Sequence, residues 1–200
     1  MGRPWNEIYG YVKSRVEILG ADLDSSRTKA ELANLRRGIG KTPGEDPKLW
    51  GSFLLDLPKE LEKDAEHRTE PTFAEWAAYT ALALYALHQQ GNDETVNCSD
   101  GSAALGRAIR KLVHSKDDEE RIMRRFSAMA TSAGPAELAH HLRSIIQLLR
   151  AEKVKLDYAD LARDLYLYQL PDGKNSVRLK WGRDYYREEK TNNELKEGEE

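Results

Sequence analysis

Apolar residues recur at helical spacing along most of this chain, and the pattern predicts a protein built from α-helices. Ile8, Val12, Val16 and Leu19 would share one face of a first helix over residues 5–19. Residues 76–87 are apolar on almost every side, which indicates a helix surrounded by others. Further helices are predicted over residues 26–37, around 49–55, from Pro58, from Ser102, from Asp117, from Pro135, from Asp157 and over 177–188.

No alternating pattern of useful length predicts a strand, so the predicted fold class is all-α, with two packed helical bundles. The polar stretch 91–101 favours an N-terminal bundle over residues 1–100 and a C-terminal bundle over 101–188, joined somewhere between 91 and 116. Residues 189–200 are expected to form an acidic, disordered tail. Residues 188–200 hold six acids and two lysines, a balance of −4, so the rest of the chain carries +1 of the total of −3.

Composition places the chain among globular proteins with a heavily charged surface. Hydrophobic residues make up 40% of it and charged residues 32%, and its mean hydropathy is −0.72. Cys98 is the only cysteine, so no disulfide framework can form within the chain, which favours a reducing compartment. The N-terminal residues have no apolar segment typical of a signal peptide, and the run 76–87 is too short to span a bilayer. We therefore expect a cytoplasmic protein that does not bind membranes.

Two patterns could bind a nucleotide or a metal, and each is incomplete. Gly40-Lys41-Thr42 ends like a phosphate-binding loop, but the first glycine of that motif is missing and a helix precedes it instead of a strand. Glu137 and His140 form half of a di-iron motif, and no second half occurs. No metal, cofactor or nucleotide is therefore expected.

Three aspartates at helical spacing could act as acid–base catalysts: Asp157, Asp160 and Asp164. Asp157 is also a natural helix N-cap, and Lys155 and Arg163 lie close by in the chain. Capping and surface ion pairing account for these carboxylates, so no catalytic residue is predicted.

Basic residues form the strongest candidate binding site. They cluster at helix ends or at helical spacing in four places: Arg36 and Arg37 beside Lys41; Arg107, Arg110, Lys111 and His114; Arg121, Arg124 and Arg125; and Arg143 with Arg150. The guanidinium group offers a fork of donors that fits phosphate oxygens, so this pattern is typical of nucleic-acid binding. A solvated face with intrahelical ion pairs would produce the same pattern, and charge alone does not separate the two.

At these residues the sequence resembles the CasB family, the small subunit of the type I-E CRISPR surveillance complex Cascade. The resemblance covers roughly residues 30–187 and rests on the order and spacing of several short pieces rather than on one motif. The pieces are Leu-Ala-Asn-Leu-Arg-Arg-Gly at 32–38, Thr-Ala-Leu-Ala-Leu-Tyr-Ala-Leu-His-Gln at 80–89, Leu-Gly-Arg-Ala-Ile at 105–109, Arg-Arg-Phe at 124–126, His-Leu-Arg at 141–143 and Leu-Asp-Tyr-Ala-Asp-Leu-Ala-Arg-Asp-Leu-Tyr at 156–166.

The resemblance implies two helical bundles and a role in antiviral defence without catalysis. Such subunits sit as a dimer in Cascade and contact its large subunit and the backbone subunits that hold the guide RNA. They also help to retain the displaced non-target DNA strand of the R-loop. The positions that match the family's basic motifs, and to which the DNA contact is carried, are Arg36, Arg37, Arg107, Arg124, Arg125 and Arg143. The resemblance assigns no role to residues 59–70 or to the acidic tail.

Two other functions remain open from the sequence. A helical scaffold could bind only protein, with its arginines pairing to acidic partners. The chain could also be an enzyme whose catalytic site matches no recognised sequence motif.

Overall fold

In a computed structural model, residues 3–61 and 70–197 are described, and they form helices joined by short loops. The α-helices are α1 (Pro4–Ala21), α2 (Ser26–Arg37), α3 (Trp50–Phe53), α4 (Phe73–Gln89), α5 (Leu105–Arg110), α6 (Lys116–Ala130), α7 (Pro135–Ala151), α8 (Tyr158–Tyr168) and α9 (Gly173–Glu197). Short 3-10 turns cover Pro47–Leu49 and Lys59–Leu61. These residues contain one isolated parallel bridge, between Asn97 and Leu156, and no strand, so the predicted all-α class is confirmed.

Helix α4 forms the centre of the fold. Every residue from Ala77 to Gln89 is buried, because α1, α2, α7 and α8 pack around it. Its first turn is fixed by a capping box, in which the Thr72 hydroxyl accepts from Glu75 N and the Glu75 carboxylate accepts from Thr72 N. The prediction of a helix surrounded by others is confirmed from Ala77 onward, whereas Trp76 is half-exposed.

Polar residues cap other helices, and the cap predicted at Asp157 is confirmed. Ser25 caps α2, Ser115 caps α6 and Asp157 caps α8, each by accepting a hydrogen bond from a backbone N–H of the first turn. Pro135 opens α7, where its missing N–H costs nothing.

Helices α5 and α9 approach so closely that only glycine fits between them. A Cβ on Gly106 would lie 2.2 Å from the carbonyl oxygen of Trp181 and 2.7 Å from the backbone nitrogen of Tyr185. The close contact buries the side chains of Trp181 and Tyr185 completely. Gly106 therefore fixes the position of the last helix against the body of the protein.

The structure corrects three helix boundaries. Helix α5 begins at Leu105 rather than Ser102, and it ends at Arg110, so Lys111 and His114 lie outside the helical face predicted for them. The helix expected from Pro58 is a 3-10 turn through Leu61, and its remainder falls outside the described residues. Helix α9 starts at Gly173 and its backbone stays helical to Glu197, inside the segment predicted to be disordered.

One continuous core joins the two halves of the chain. Helix α1 packs against α8, and α4 packs against both α7 and α8, so buried residues from before and after residue 100 contact one another. The division into bundles at 1–100 and 101–188 stays a prediction. No helix within the described ranges is long and apolar enough to cross a membrane.

Candidate nucleic-acid interface

A groove opens where the loop after α2 faces α7 across α4. It has a volume of about 300 Å³, and its floor includes Thr80, Ala83 and Leu84 of α4. The loop is held by Tyr79, whose hydroxyl donates to the Gly38 carbonyl at 2.7 Å. A Cβ on Gly38 would lie 2.4 Å from the Tyr79 hydroxyl oxygen, so glycine is required for this contact. Burial raises the pKa of Tyr79 to about 12, and the hydroxyl stays protonated as the donor.

The two rims of the groove differ in charge. Arg143 of α7 is exposed on one rim and, among the described residues, has no ion-pair or hydrogen-bond partner. On the loop rim Lys41 lies 3.1 Å from Asp46, and the Glu45 carboxylate accepts from Thr42 N at 2.8 Å. The hydrogen bond from Lys41 lowers the pKa of Asp46, so that carboxylate stays ionised. The cationic rim is therefore the α7 rim.

Arg125 reaches the same helix from the opposite side. Its guanidinium donates to the Ser144 hydroxyl at 2.5 Å, next in the chain to Arg143. Arg125 and Arg143 thus lie on the two flanks of the exposed ridge of α7. Neither forms an ion pair with a described carboxylate, so both are available to an external anion.

Arg36 and Arg37 end α2, directly before the groove loop, but they differ in exposure. Arg37 is exposed and donates to the Asn34 side chain at 3.5 Å. Arg36 is half-buried, it donates to the Ala86 carbonyl at 3.4 Å, and burial lowers its pKa. Arg36 consequently has less freedom to reach a ligand than its neighbour.

Arg107 and Arg124 already have partners. Arg124 lies 3.0 Å from Glu120 in an ion pair whose two side chains are 78% and 82% exposed. Such an exposed ion pair contributes little to the free energy of folding, so it opens easily. Arg107 donates to the Gly101 carbonyl at 2.9 Å, in the loop before α5. The contacts of these two arginines do not connect them to the groove or to Arg143.

The three aspartates considered as catalysts have structural partners. Asp157 caps α8, accepting from Asp160 N at 2.9 Å. Lys180 of α9 lies 2.6 Å from both Asp160 and Asp164, and the Trp181 indole donates to Asp164 at 2.7 Å. The expectation of surface pairing is wrong for Asp160 and Asp164, because both are buried between α8 and α9.

The pKa values in this cluster follow from burial and pairing. Burial raises the pKa of Asp164 to about 6, against the opposing effect of Lys180. Burial also acts to lower the pKa of Lys180, but Asp164 and Asp160 outweigh it and raise that pKa. The cluster joins α8 to α9, and each of its carboxylates either caps a helix or pairs with a cation.

The two histidines of α7 contact neighbouring side chains of their own helix. His141 lies 3.7 Å from Glu137, one turn away, while His140 stacks edge-on against His141. Within residues 3–61 and 70–197, no three His, Cys, Asp or Glu side chains come together in a way that could hold a metal ion.

Comparison with known proteins identifies the family. The family model described as CRISPR-associated protein Cse2 matches residues 31–186. The chain belongs to the Cse2 family. CasB from Thermobifida fusca has a crystal structure that is similar over 90% of this chain and 98% of its own, with 36% identity and a TM-score of 0.75.

More distant Cse2 structures share the fold. CasB from Thermus thermophilus is 22% identical, with a TM-score of 0.62 over 88% of this chain and 97% of its own. A chain in a structure titled as a CRISPR RNA-guided surveillance complex is also 22% identical, with a TM-score of 0.67 over 94% of this chain and 98% of its own. Comparison with curated proteins gave no match. The resemblance to the CasB family is therefore confirmed.

Sequence reasoning missed the groove itself. It placed Trp76 in a buried run, whereas the structure leaves Trp76 half-exposed at the groove. It also gave no reason to bring Lys41 near Arg143. The spacing of residues along one helix carries no signal for a groove whose walls come from two helices and a loop that are far apart in the chain.

Proposed function

We propose that this Cse2-family chain is a non-catalytic small subunit of an RNA-guided CRISPR surveillance complex, and that it retains the displaced non-target DNA strand. Guide pairing supplies sequence specificity in such complexes, so a subunit that holds the backbone of a single strand needs only well-spaced cations on a rigid surface. The observation that carries the proposal is that Arg125 and Arg143 flank one exposed helix ridge with no carboxylate partner among the described residues.

The arginine track of the proposal consists of Arg36, Arg37, Arg107, Arg124, Arg125 and Arg143. Arg37 is exposed directly before the groove loop, and Arg124 can exchange its solvent-exposed partner for a phosphate. Arg36 contributes least, because it is half-buried against Ala86. About four or five phosphate contacts would give a log–log salt slope of roughly −3 to −3.5 on a single strand.

The proposal includes the assembly. We infer that the subunit works as a dimer in the cytoplasm, in contact with the backbone and large subunits, the guide RNA and the target DNA. Native mass spectrometry of the reconstituted complex should find two copies of this chain.

The test is target-DNA affinity of complexes reconstituted with wild-type or variant subunit, across a salt series. Arg125→Ala with Arg143→Ala should weaken binding for all target sequences and reduce the salt slope by about 1.4, which is 0.7 for each lost contact. The matched control is Lys13→Ala with Lys155→Ala, which removes the same charge at exposed sites 3.9 and 3.8 Å from carboxylates. The control should leave the slope unchanged.

A scaffold that binds only protein predicts a different outcome. In that case the arginine variant would assemble poorly, and complexes that do assemble would bind target DNA with wild-type affinity and slope. That result would refute the DNA-retention proposal.

A further inference from the structure

The groove beside Arg143 has the size and lining of a small ligand site. Its volume of about 300 Å³ lies at the lower end of the range for such sites, about 300–1,000 Å³. It is therefore large enough for one flat ring system and too small for a longer ligand. Ala83 and Leu84 form an apolar floor, Ala139 of α7 forms a wall, and the half-exposed Trp76 indole lies at its edge.

This lining suits a nucleobase. Bases bind to aromatic and apolar surfaces through their flat faces, and such stacking tolerates every base because each has a π-face. Ala83 and Leu84 are each only 3% exposed, so the surface that a base can contact lies mainly on the half-exposed Trp76 and Ala139 at the sides of the groove. A base held in the groove would add to the backbone contacts without making binding depend on sequence.

The charges around the groove orient the ligand and discriminate between partners. Among the described residues Arg143, on the α7 rim, has no ion-pair partner, whereas Glu45 and Asp46 lie in the loop that forms the other rim, with Lys41 and Lys48 close to Asp46. A nucleotide places one phosphate beside Arg143 and a neutral base in the groove. An acidic peptide would also bring carboxylates toward the loop rim, where Glu45 and Asp46 offset Lys41 and Lys48 and leave no net positive charge to attract them.

We propose that this groove takes one unstacked base of the displaced strand, with the adjoining phosphate on Arg143. The inference rests on the proposed retention of single-stranded DNA and adds to it a base-stacking site. Such a site makes retention depend on the bases as well as on the backbone, without reading their identity.

The experiment uses the full chain and two fluorescently labelled probes of equal length, oligo-dT and the same backbone made of abasic residues. Anisotropy at low salt gives the ratio of their dissociation constants. One stacked base should favour oligo-dT by roughly 5- to 150-fold in the wild-type protein. Arg143→Ala should weaken both probes and leave the ratio unchanged, because it removes a phosphate contact only.

Filling the groove tests the site directly. Ala139→Leu places a larger side chain in the groove and keeps every arginine, so the ratio should fall toward one while the affinity for the abasic probe stays unchanged. Ala136→Leu, on the exposed first turn of α7, fills the same groove. It replaces Ala139→Leu in the test if Ala139→Leu lowers the helical content. Ala128→Leu, at a half-exposed position of α6 away from the groove, should leave both affinities unchanged.

The outcomes separate this inference from the function it rests on. A wild-type ratio of one, or a ratio that survives both filling variants, refutes the base site while leaving backbone retention intact. If the filling variants instead reduce incorporation into the complex without altering the ratio, the groove binds a protein partner and the inference is wrong. If arginine substitutions change neither probe's affinity, the DNA-retention proposal itself fails.

Discussion

Helices α5 and α9 are in close backbone contact at Gly106, and this contact predicts a large effect of a single methyl group. In Gly106→Ala the new Cβ would lie 2.2 Å from the Trp181 carbonyl oxygen, where ordinary contacts begin near 3.4 Å. Both atoms it meets in α9 first are backbone atoms, so no side-chain rotation relieves the clash. Helix α9 would have to move away by about 1 Å, which loosens the packing of Trp181 and Tyr185.

The expected net loss is about 2 kcal/mol in the free energy of unfolding. Overpacking costs about 1–3 kcal/mol, and a backbone clash belongs at the upper end. Alanine has a higher helix propensity than glycine, which offsets up to about 1 kcal/mol of this cost. For a chain of this length, each kcal/mol lowers the melting temperature by about 2–4 °C, so a decrease of roughly 4–8 °C is expected.

Gly182 on α9 provides a matched control. A Cβ there would meet no heavy atom within 4 Å, so Gly182→Ala gains helix propensity without a clash. It should raise the unfolding free energy by about 0.5–1 kcal/mol. Thermal and urea unfolding followed by circular dichroism would measure both variants. A Gly106→Ala protein as stable as Gly182→Ala would show that α5 and α9 are not in backbone contact.

Two further predictions concern buried charge. Lys180→Met leaves Asp164 buried without its cation and should lower the free energy of unfolding by about 3–5 kcal/mol at pH 8. Because the pKa of Asp164 in the folded protein is raised to about 6, protonation of its carboxylate should reduce this loss at pH 5. An equal loss in urea unfolding at both pH values would contradict the pairing. Burial lowers the pKa of His88 to about 4, so this residue stays neutral in the folded protein while the unfolded chain takes up a proton below pH 6.5. Through this residue, wild type should lose about 2 kcal/mol of unfolding free energy between pH 7 and 5, and His88→Gln should not show that loss. The same pH profile in wild type and variant would refute this.

Local signals in the sequence predicted the helices well, because each depends on residues close together in the chain. Asp157 caps α8 as expected, since a cap is set by one side chain and the next turn. The failures fall where the local signal was ambiguous. Ser102 precedes an apolar helical pattern, but it lies in a turn in which its N–H donates to Asp100, and α5 begins three residues later.

Burial of polar groups was harder to predict than helix formation. Asp160 and Asp164 have the spacing of a polar helix face, and only the packing of α9 across α8 shows that the face is inside. Lys180, which satisfies both carboxylates, lies sixteen or more residues away in the chain. Charge pairing between helices depends on how they pack, and the sequence pattern of one helix does not contain that information.

The candidate site illustrates the same distinction between spacing and packing. Helix α2 runs antiparallel to α4, since Arg36 contacts Ala86 while Gly38 contacts Tyr79. Helix α7 runs parallel to α4, since Arg143 borders the groove floored by Ala83 while the later Arg150 contacts Gln90. These directions bring the end of α2 and the middle of α7 to one place.

Which arginines remain for a ligand then follows from their internal partners rather than from their spacing. Arg36 and Arg107 donate to backbone carbonyls, and a ligand must compete with those bonds. Arg124 must leave Glu120, although this exposed pair holds it only weakly. Arg143 has no partner to leave among the described residues, so its substitution removes binding energy without freeing an internal group. Of the six arginines that sequence alone treats alike, Arg143 should therefore have the largest single effect on strand retention.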